Sequence, residues 1–167
     1  SDAEQFFNDF MQARGIAIGE SDETFDVPSA AWQNVGPSDD YVGHCGRLFD
    51  LIVVGRPVHG ATTPTMHTLE AALFETGRPI LIAPPSAPVT LGETIAIAWN
   101  GSTETARTVA FAMPILRKAK KVVVLTIEDA MVPGPMGTEV VKHLNRNGIE
   151  ASAVVRAAGK RSLAVSY

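Results

Sequence analysis

Apolar positions along the chain follow two rhythms, one helical and one of short unbroken runs. Near the start, Phe6, Phe7, Phe10 and Met11 recur at helical spacing and predict a helix over about residues 4–14, stopped by Gly15. Residues 21–29 are polar, contain Pro28 and read as a loop, 31–35 as a short strand, and 38–48 as a helix capped by Ser38 or Asp39. The stretch "FDLIVVG" follows, and its continuous apolar run 51–54 is that of a strand covered on both faces. A helix is predicted over 68–76 with Gly77 as its stop, then a buried strand in "RPILIAPP", which Pro84 and Pro85 end because neither can donate to a ladder.

The alternation then starts again. Residues 84–93 hold three prolines and resemble a linker. After them "IAIAW" predicts a strand, 103–119 a helix that Pro114 kinks or weakens, and "KKVVVLTI" a strand. A loop rich in Pro and Gly spans 131–137, a helix 138–147 with Gly148 as its stop, and a strand 150–156. Strands alternating with helices predict parallel βαβ units with right-handed crossovers.

Composition narrows the class. With 46% hydrophobic and 19% charged residues among 167, the chain is an ordinary globular sequence. A net charge of −4 gives no electrostatic case for nucleic acid. The cluster Arg117, Lys118, Lys120 and Lys121 falls at a predicted helix end, where cations offset exposed carbonyls. One cysteine, Cys45, excludes an intrachain disulfide and a cysteine-rich zinc site, and reads as a small packed hydrophobe. No apolar run reaches membrane-spanning length, so no membrane partner is expected, and the first residues do not read as a signal peptide.

Candidate chemistry centres on Trp99-Asn100-Gly101-Ser102, between a predicted strand and helix. Ser102 or Thr103 can cap the helix, Gly101 permits a tight turn, and Glu104 suits the helix dipole. The same free N–H groups could hold an anion, but Glu104 opposes it, and neither a Walker loop nor a dinucleotide fingerprint is present. His44, His59, His67 and His143 have no metal-ligand spacing. Glu128 and Asp129 end a strand and read as exposed, Ser29 and Ser162 lack a nucleophile elbow, and no residues form a catalytic triad or acid–base pair. No catalytic residue and no metal site are therefore assigned.

The segment "TIAIAWNGSTETARTVAFAMPILRKAKKVVVLTIE" resembles the opening strand, helix and strand of a universal stress protein domain, and "FDLIVVGRP" with "LEAALFETGRPILIAPP" resembles the closing part of one. The resemblance covers residues 49–156 and more loosely those before. It implies an α/β, flavodoxin-like or adenine-nucleotide-hydrolase-like sandwich around a mainly parallel sheet. It also implies a cytoplasmic, stress-induced homodimer, with the protein partner left unidentified. The closing half comes first, so residues 1–85 read as the C-terminal half of one such domain, 86–93 as a linker and 94–167 as the N-terminal half of a second. Three arrangements are open: a fragment of a tandem protein, a permuted single domain, or two chains exchanging halves.

Many members of that family bind ATP through an Asp after the first strand and a glycine-rich phosphate motif after the fourth. Asn100 stands at the Asp position, and Met66-His67 near the expected Gly-Ser. The resemblance therefore implies a non-enzymatic protein acting through dimerisation or partner binding, with no cofactor expected. The alternative is an ATP-binding, weakly hydrolysing protein using Asn100, Gly101 and Ser102 with a phosphate motif outside the chain.

Overall fold

A computed structural model describes residues 2–20, 25–35, 39–58, 60 and 64–157. Helix α1 (Asp2–Ala13) leads into two short strands, β1 (Ala17–Ile18) and β2 (Ser29–Ala30). Then come α2 (Asp39–Cys45) with a 3-10 turn at Gly46–Leu48, β3 (Ile52–Gly55), α3 (Met66–Glu75) and β4 (Ile80–Ala83). The rest is β5 (Thr94–Ala98), α4 (Thr103–Leu116), β6 (Lys121–Ile127), α5 (Gly137–Arg146) and β7 (Ala151–Arg156). The class is α/β, and every ladder among the described residues is parallel, consistent with a flavodoxin-like sandwich.

The five strands expected from the apolar runs are all present, but they do not form one sheet. β3 pairs with β4, β5-β6-β7 form a separate three-stranded sheet, and β1-β2 a third small ladder. Nor is β3 covered on both faces: Val53 is 58% exposed, although its neighbour Val54 is buried. The expected strand over 31–35 does not form. Extended pairing instead occurs two residues earlier, where Ser29 and Ala30 oppose Ala17 and Ile18, and Trp32 packs its ring 5.5 Å from that of Phe7. The long helix ends at Leu116 rather than at 119, because Lys118 and Ala119 bond back to Ile115 and Leu116 in tighter turns. It continues through Pro114. The residues Ser38, His59 and Ser162 lie outside the described residues.

The core sits almost entirely in the β5-β6-β7 unit. Trp99, Val109, Leu116, Val122, Val124, Val140, Leu144 and Ile149 make one buried cluster, with Ile95, Ile97, Met113 and Ala151 packed against it. The register explains which residues these are. Ile95 lies opposite Val122 and Ile97 opposite Val124, so one face of the sheet carries the branched residues onto which α4 and α5 pack. Gly137 lets the start of α5 lie on β6: a Cβ there would stand 2.7 Å from Thr126 Oγ1 and 3.3 Å from Val124 Cγ1. Glu93 closes the opposite end. Its carbonyl accepts from the N–H groups of Lys120 and Lys121, and its carboxylate pairs with Lys120 Nζ at 2.7 Å.

The α2-β3-α3-β4 unit is thinner. Val54, Ala71, Ala72 and Thr76 are its buried apolar and polar positions. Gly46 permits the approach of the 3-10 turn to β3 and α3, since a Cβ would meet Thr76 Cγ2 at 2.7 Å and Ile52 Cδ1 at 2.8 Å. Arg47 Nε donates to the carbonyl of Glu75 at 3.0 Å, satisfying a terminal carbonyl of α3, and Arg78 donates to the carbonyl of Arg47.

Leu144 is fully buried at the centre of the larger core. Leu144→Ala is expected to lower unfolding free energy by about 2–5 kcal/mol, whereas Lys142→Ala, on the exposed face of the same helix, changes it by less than about 0.5 kcal/mol. Urea unfolding followed by circular dichroism measures both.

Candidate functional site

Parallel sheets present ligand sites at the carboxyl ends of their strands. Here that edge is built from two loops, the β5–α4 turn 99–102 and the β6–α5 loop 131–136. They are stitched together. Trp99 Nε1 donates to the carbonyl of Pro135 at 2.8 Å, and Val132 N donates to the carbonyl of Asn100 at 2.9 Å. Gly101 has φ +86, and a Cβ on it would stand 3.0 Å from the carbonyl oxygen of Val132. Across the seam, a Cβ on Gly134 would collide with the carbonyl of Gly101. The Pro and Gly content of residues 131–137 thus serves a close backbone approach as well as a loop.

The three residues singled out in the sequence do come together, and they are occupied with one another. Asn100 Oδ1 accepts from Ser102 N at 3.0 Å and from Thr105 Oγ1 at 3.2 Å. The single Thr105 hydroxyl proton is shared between this oxygen and the carbonyl of Ser102, so Ser102 N is the full partner of the Asn100 oxygen. Ser102 is the N-cap of α4, and its Oγ accepts from Thr105 N at 3.3 Å. Thr105 also donates to the carbonyl of Ser102 at 2.9 Å. The Glu104 carboxyl is held below its ordinary range, first by a bond from its own backbone N–H and then by the Ser102 and Thr103 hydroxyls, with Arg107 adding attraction. The amides of Ser102, Glu104 and Thr105 therefore serve the chain's own side chains, beside a carboxylate that stays charged at neutral pH.

Such a turn does not fit the triphosphate that the family resemblance would bring. The acceptor that could meet a ribose hydroxyl is bonded to Ser102 N, and the charge beside the helix start is negative. In the other unit, Met66 and His67 open α3 with exposed side chains, and the α3 N-cap is made by Thr65, whose Oγ1 accepts from Thr68 N at 3.1 Å. His67 Nδ1 lies 3.7 Å from Glu70. Glu128 and Asp129 occupy an exposed 3-10 turn after β6. Cys45 ends α2 half-buried, and His44 precedes it. Among the described residues no three His, Cys, Asp or Glu side chains gather to hold a metal ion, and no helix is long and apolar enough to cross a membrane.

A cavity of about 430 Å³ lies between α4 and α5, lined by Trp99, Ala106, Val109, Met113, Val140 and His143. Its rim carboxylate, Glu139, accepts from Met136 N at 2.9 Å and so closes the start of α5. Sequence reading missed Thr105, Val132 and Pro135 as partners of the turn. A Thr three residues after a Ser N-cap was the available signal for Thr105. The other two are joined to the turn only by the alignment of β5 with β6.

What the chain leaves exposed is apolar backbone-bearing surface. β3, β4, β5 and β7 each have one strand neighbour and one open edge among the described residues. Val53 and Leu81, paired in register, stand exposed on one face of the β3-β4 ladder. Ala96, Val123 and Ser152 align on the face of the larger sheet opposite its core, and so do Ala98, Leu125 and Val154. Phe74 is 77% and Leu48 84% exposed. Comparison with models of known families, with curated proteins and with solved structures finds no match.

Gly101 and Gly148 both have positive φ, but only Gly101 has atoms within 4 Å of its Cβ position. Each change to Ala carries a backbone cost of about 1 kcal/mol or more. Gly101→Ala is expected to destabilise more than Gly148→Ala, by the added crowding against Val132 and Gly134, as read from paired urea midpoints.

Proposed function

We propose that the chain is the sheet-forming part of a non-enzymatic protein of the universal stress type, acting by assembling with another subunit rather than by chemistry. The observation that carries this reading is the pair of parallel ladders, each with an unbonded edge, the smaller one with Val53 and Leu81 exposed. Parallel sheets are ordinarily covered on both faces, and exposed apolar patches of this kind mark interaction surfaces. The strand–helix rhythm and the resemblance of residues 49–156 support the family.

The nucleotide-binding reading is the weaker one. It is supported by the position of Asn100 at a strand's carboxyl end and opposed by its bonds to Ser102 and Thr105.

The test is light scattering on the purified chain, with and without ATP and Mg²⁺, together with calorimetric titration. An assembly of at least twice 17.7 kDa that ATP does not change is expected, with no saturable heat of binding. A monodisperse monomer that melts cooperatively overturns the assembly reading. Saturable binding with a micromolar Kd, on the order of −8 kcal/mol, overturns the nucleotide-free one.

A further inference from the structure

We infer that the cavity between α4 and α5 is a binding site for a small amphipathic amine, an aromatic or branched apolar body that carries one cationic nitrogen. The site lies on the helix-covered face of the larger sheet, so it does not depend on the assembly reading above.

The walls set the size and the shape. At about 430 Å³ the cavity falls among small-molecule sites, which run from about 300 to 1,000 Å³. Trp99 and Val109, both buried, form its inner side. One flank is the face of α4 that carries Ala106, Ala110 and Met113 at helical spacing. Two alanines in that row leave open the volume that longer side chains would fill. The Trp99 indole is already fixed, because its Nε1 donates to the carbonyl of Pro135 at 2.8 Å and Pro135 lines the same cavity. A wall held in this way loses little freedom when a ligand arrives.

The polar groups select the ligand. They sit on the other flank, where Glu139 and His143 are four residues apart on α5 and share one face. Glu139 Oε2 accepts from Met136 N at 2.9 Å, which anchors the carboxylate at the rim. Among the described residues no group donates to its Oε1. Arg107 and Lys142, the cations nearest in sequence, do not line the cavity, so its fixed charge is negative. A carboxylate anchored at the edge of an apolar hollow favours a cation whose remaining surface is apolar, and it repels phosphate and carboxylate ligands. The apolar body goes against Trp99 and Met113, and the ammonium group donates to Glu139. His143 adds a ring that can accept or donate a further bond. A nucleotide brings the wrong charge for this hollow.

The test is NMR and calorimetric titration of the full chain with three probes of similar shape: phenethylamine, phenethyl alcohol and hydrocinnamate. The reporter is the indole N–H of Trp99, told apart from that of Trp32 by a Trp32→Phe variant. The amine is expected to bind saturably and to shift the Trp99 signal. It should bind about tenfold more tightly than the alcohol, the scale of a hydrogen bond to a charged group, and the acid should not bind. Glu139→Gln keeps a side-chain acceptor for Met136 N, so the start of α5 is retained, and it is expected to bring the amine down to the level of the alcohol. Ala110→Phe, at an exposed position, fills the cavity and is expected to abolish binding of both with an unchanged circular dichroism spectrum. The proposal is overturned if the amine shows no saturable binding at millimolar concentration or leaves the Trp99 signal in place. It is equally overturned if the alcohol or the acid binds as well as the amine, if Glu139→Gln preserves the preference for the amine, or if binding survives Ala110→Phe. None of these outcomes bears on the oligomeric state, which light scattering reads separately.

Discussion

A strand in the middle of a parallel sheet has its backbone groups taken on both edges and its side chains covered on both faces. β5 has the sequence for that position and half of the surroundings. β6 takes one edge, and α4 with α5 covers the face that bears Ile95 and Ile97. The other edge and the face of Ala96 and Ala98 are left. β3 is in the same condition, with Val54 buried and Val53 bare. A polar strand edge can rely on water, but a strand of branched aliphatic residues gains nothing from that exposure. β4 shares the condition, with one neighbour and with Leu81 and Ile82 exposed.

The β5–α4 turn shows how the remaining local demands are met internally. Trp99 needs a partner for its indole N–H once the ring is buried, and the carbonyl of Pro135 provides it. That bond draws the β6–α5 loop over the turn, and the approach is close enough to require glycine at 101 and at 134. Asn100 and Ser102 then settle the first turn of α4. A loop of similar composition can hold an anion when its amides are free. Here the amides of Ser102, Glu104 and Thr105 are engaged by the chain's own side chains, so the same sequence features that draw attention to the turn account for its closure.

How much of this was legible beforehand follows from the range of each interaction. Apolar runs such as 122–127 and glycine stops at 15, 77 and 148 act locally, and the helices and strands they predict are found. The β1-β2 ladder was missed because two-residue strands carry no periodic signal and depend on each other across a loop. The Trp99–Pro135 and Gly101–Gly134 contacts span more than thirty residues, and a single sequence does not pair them. Expecting both faces of 51–54 to be covered was right about composition. The expectation of cover fails at Val53, which is 58% exposed.

The two halves are unequal in a way that bears on this. The β5-β6-β7 unit has eight buried hydrophobic residues in one cluster, including Leu116 and Leu144. The α2-β3-α3-β4 unit buries Val54 and two alanines, and joins its helices at positions as small as Gly43 and Gly46. Two alanines and a valine remove little apolar area from water, while each ordered residue costs about 1–2 kcal/mol of backbone entropy. Arg47 and Arg78 close the end of α3 with exposed hydrogen bonds, which add modestly at the surface. The smaller unit therefore has the lesser share of buried apolar area among the described residues. Its Ile52–Gly55 strand is apolar on both faces, with Val54 buried and Val53 exposed. The larger unit holds its strands on a buried cluster, while the smaller one leaves Val53 and Leu81 of its ladder exposed.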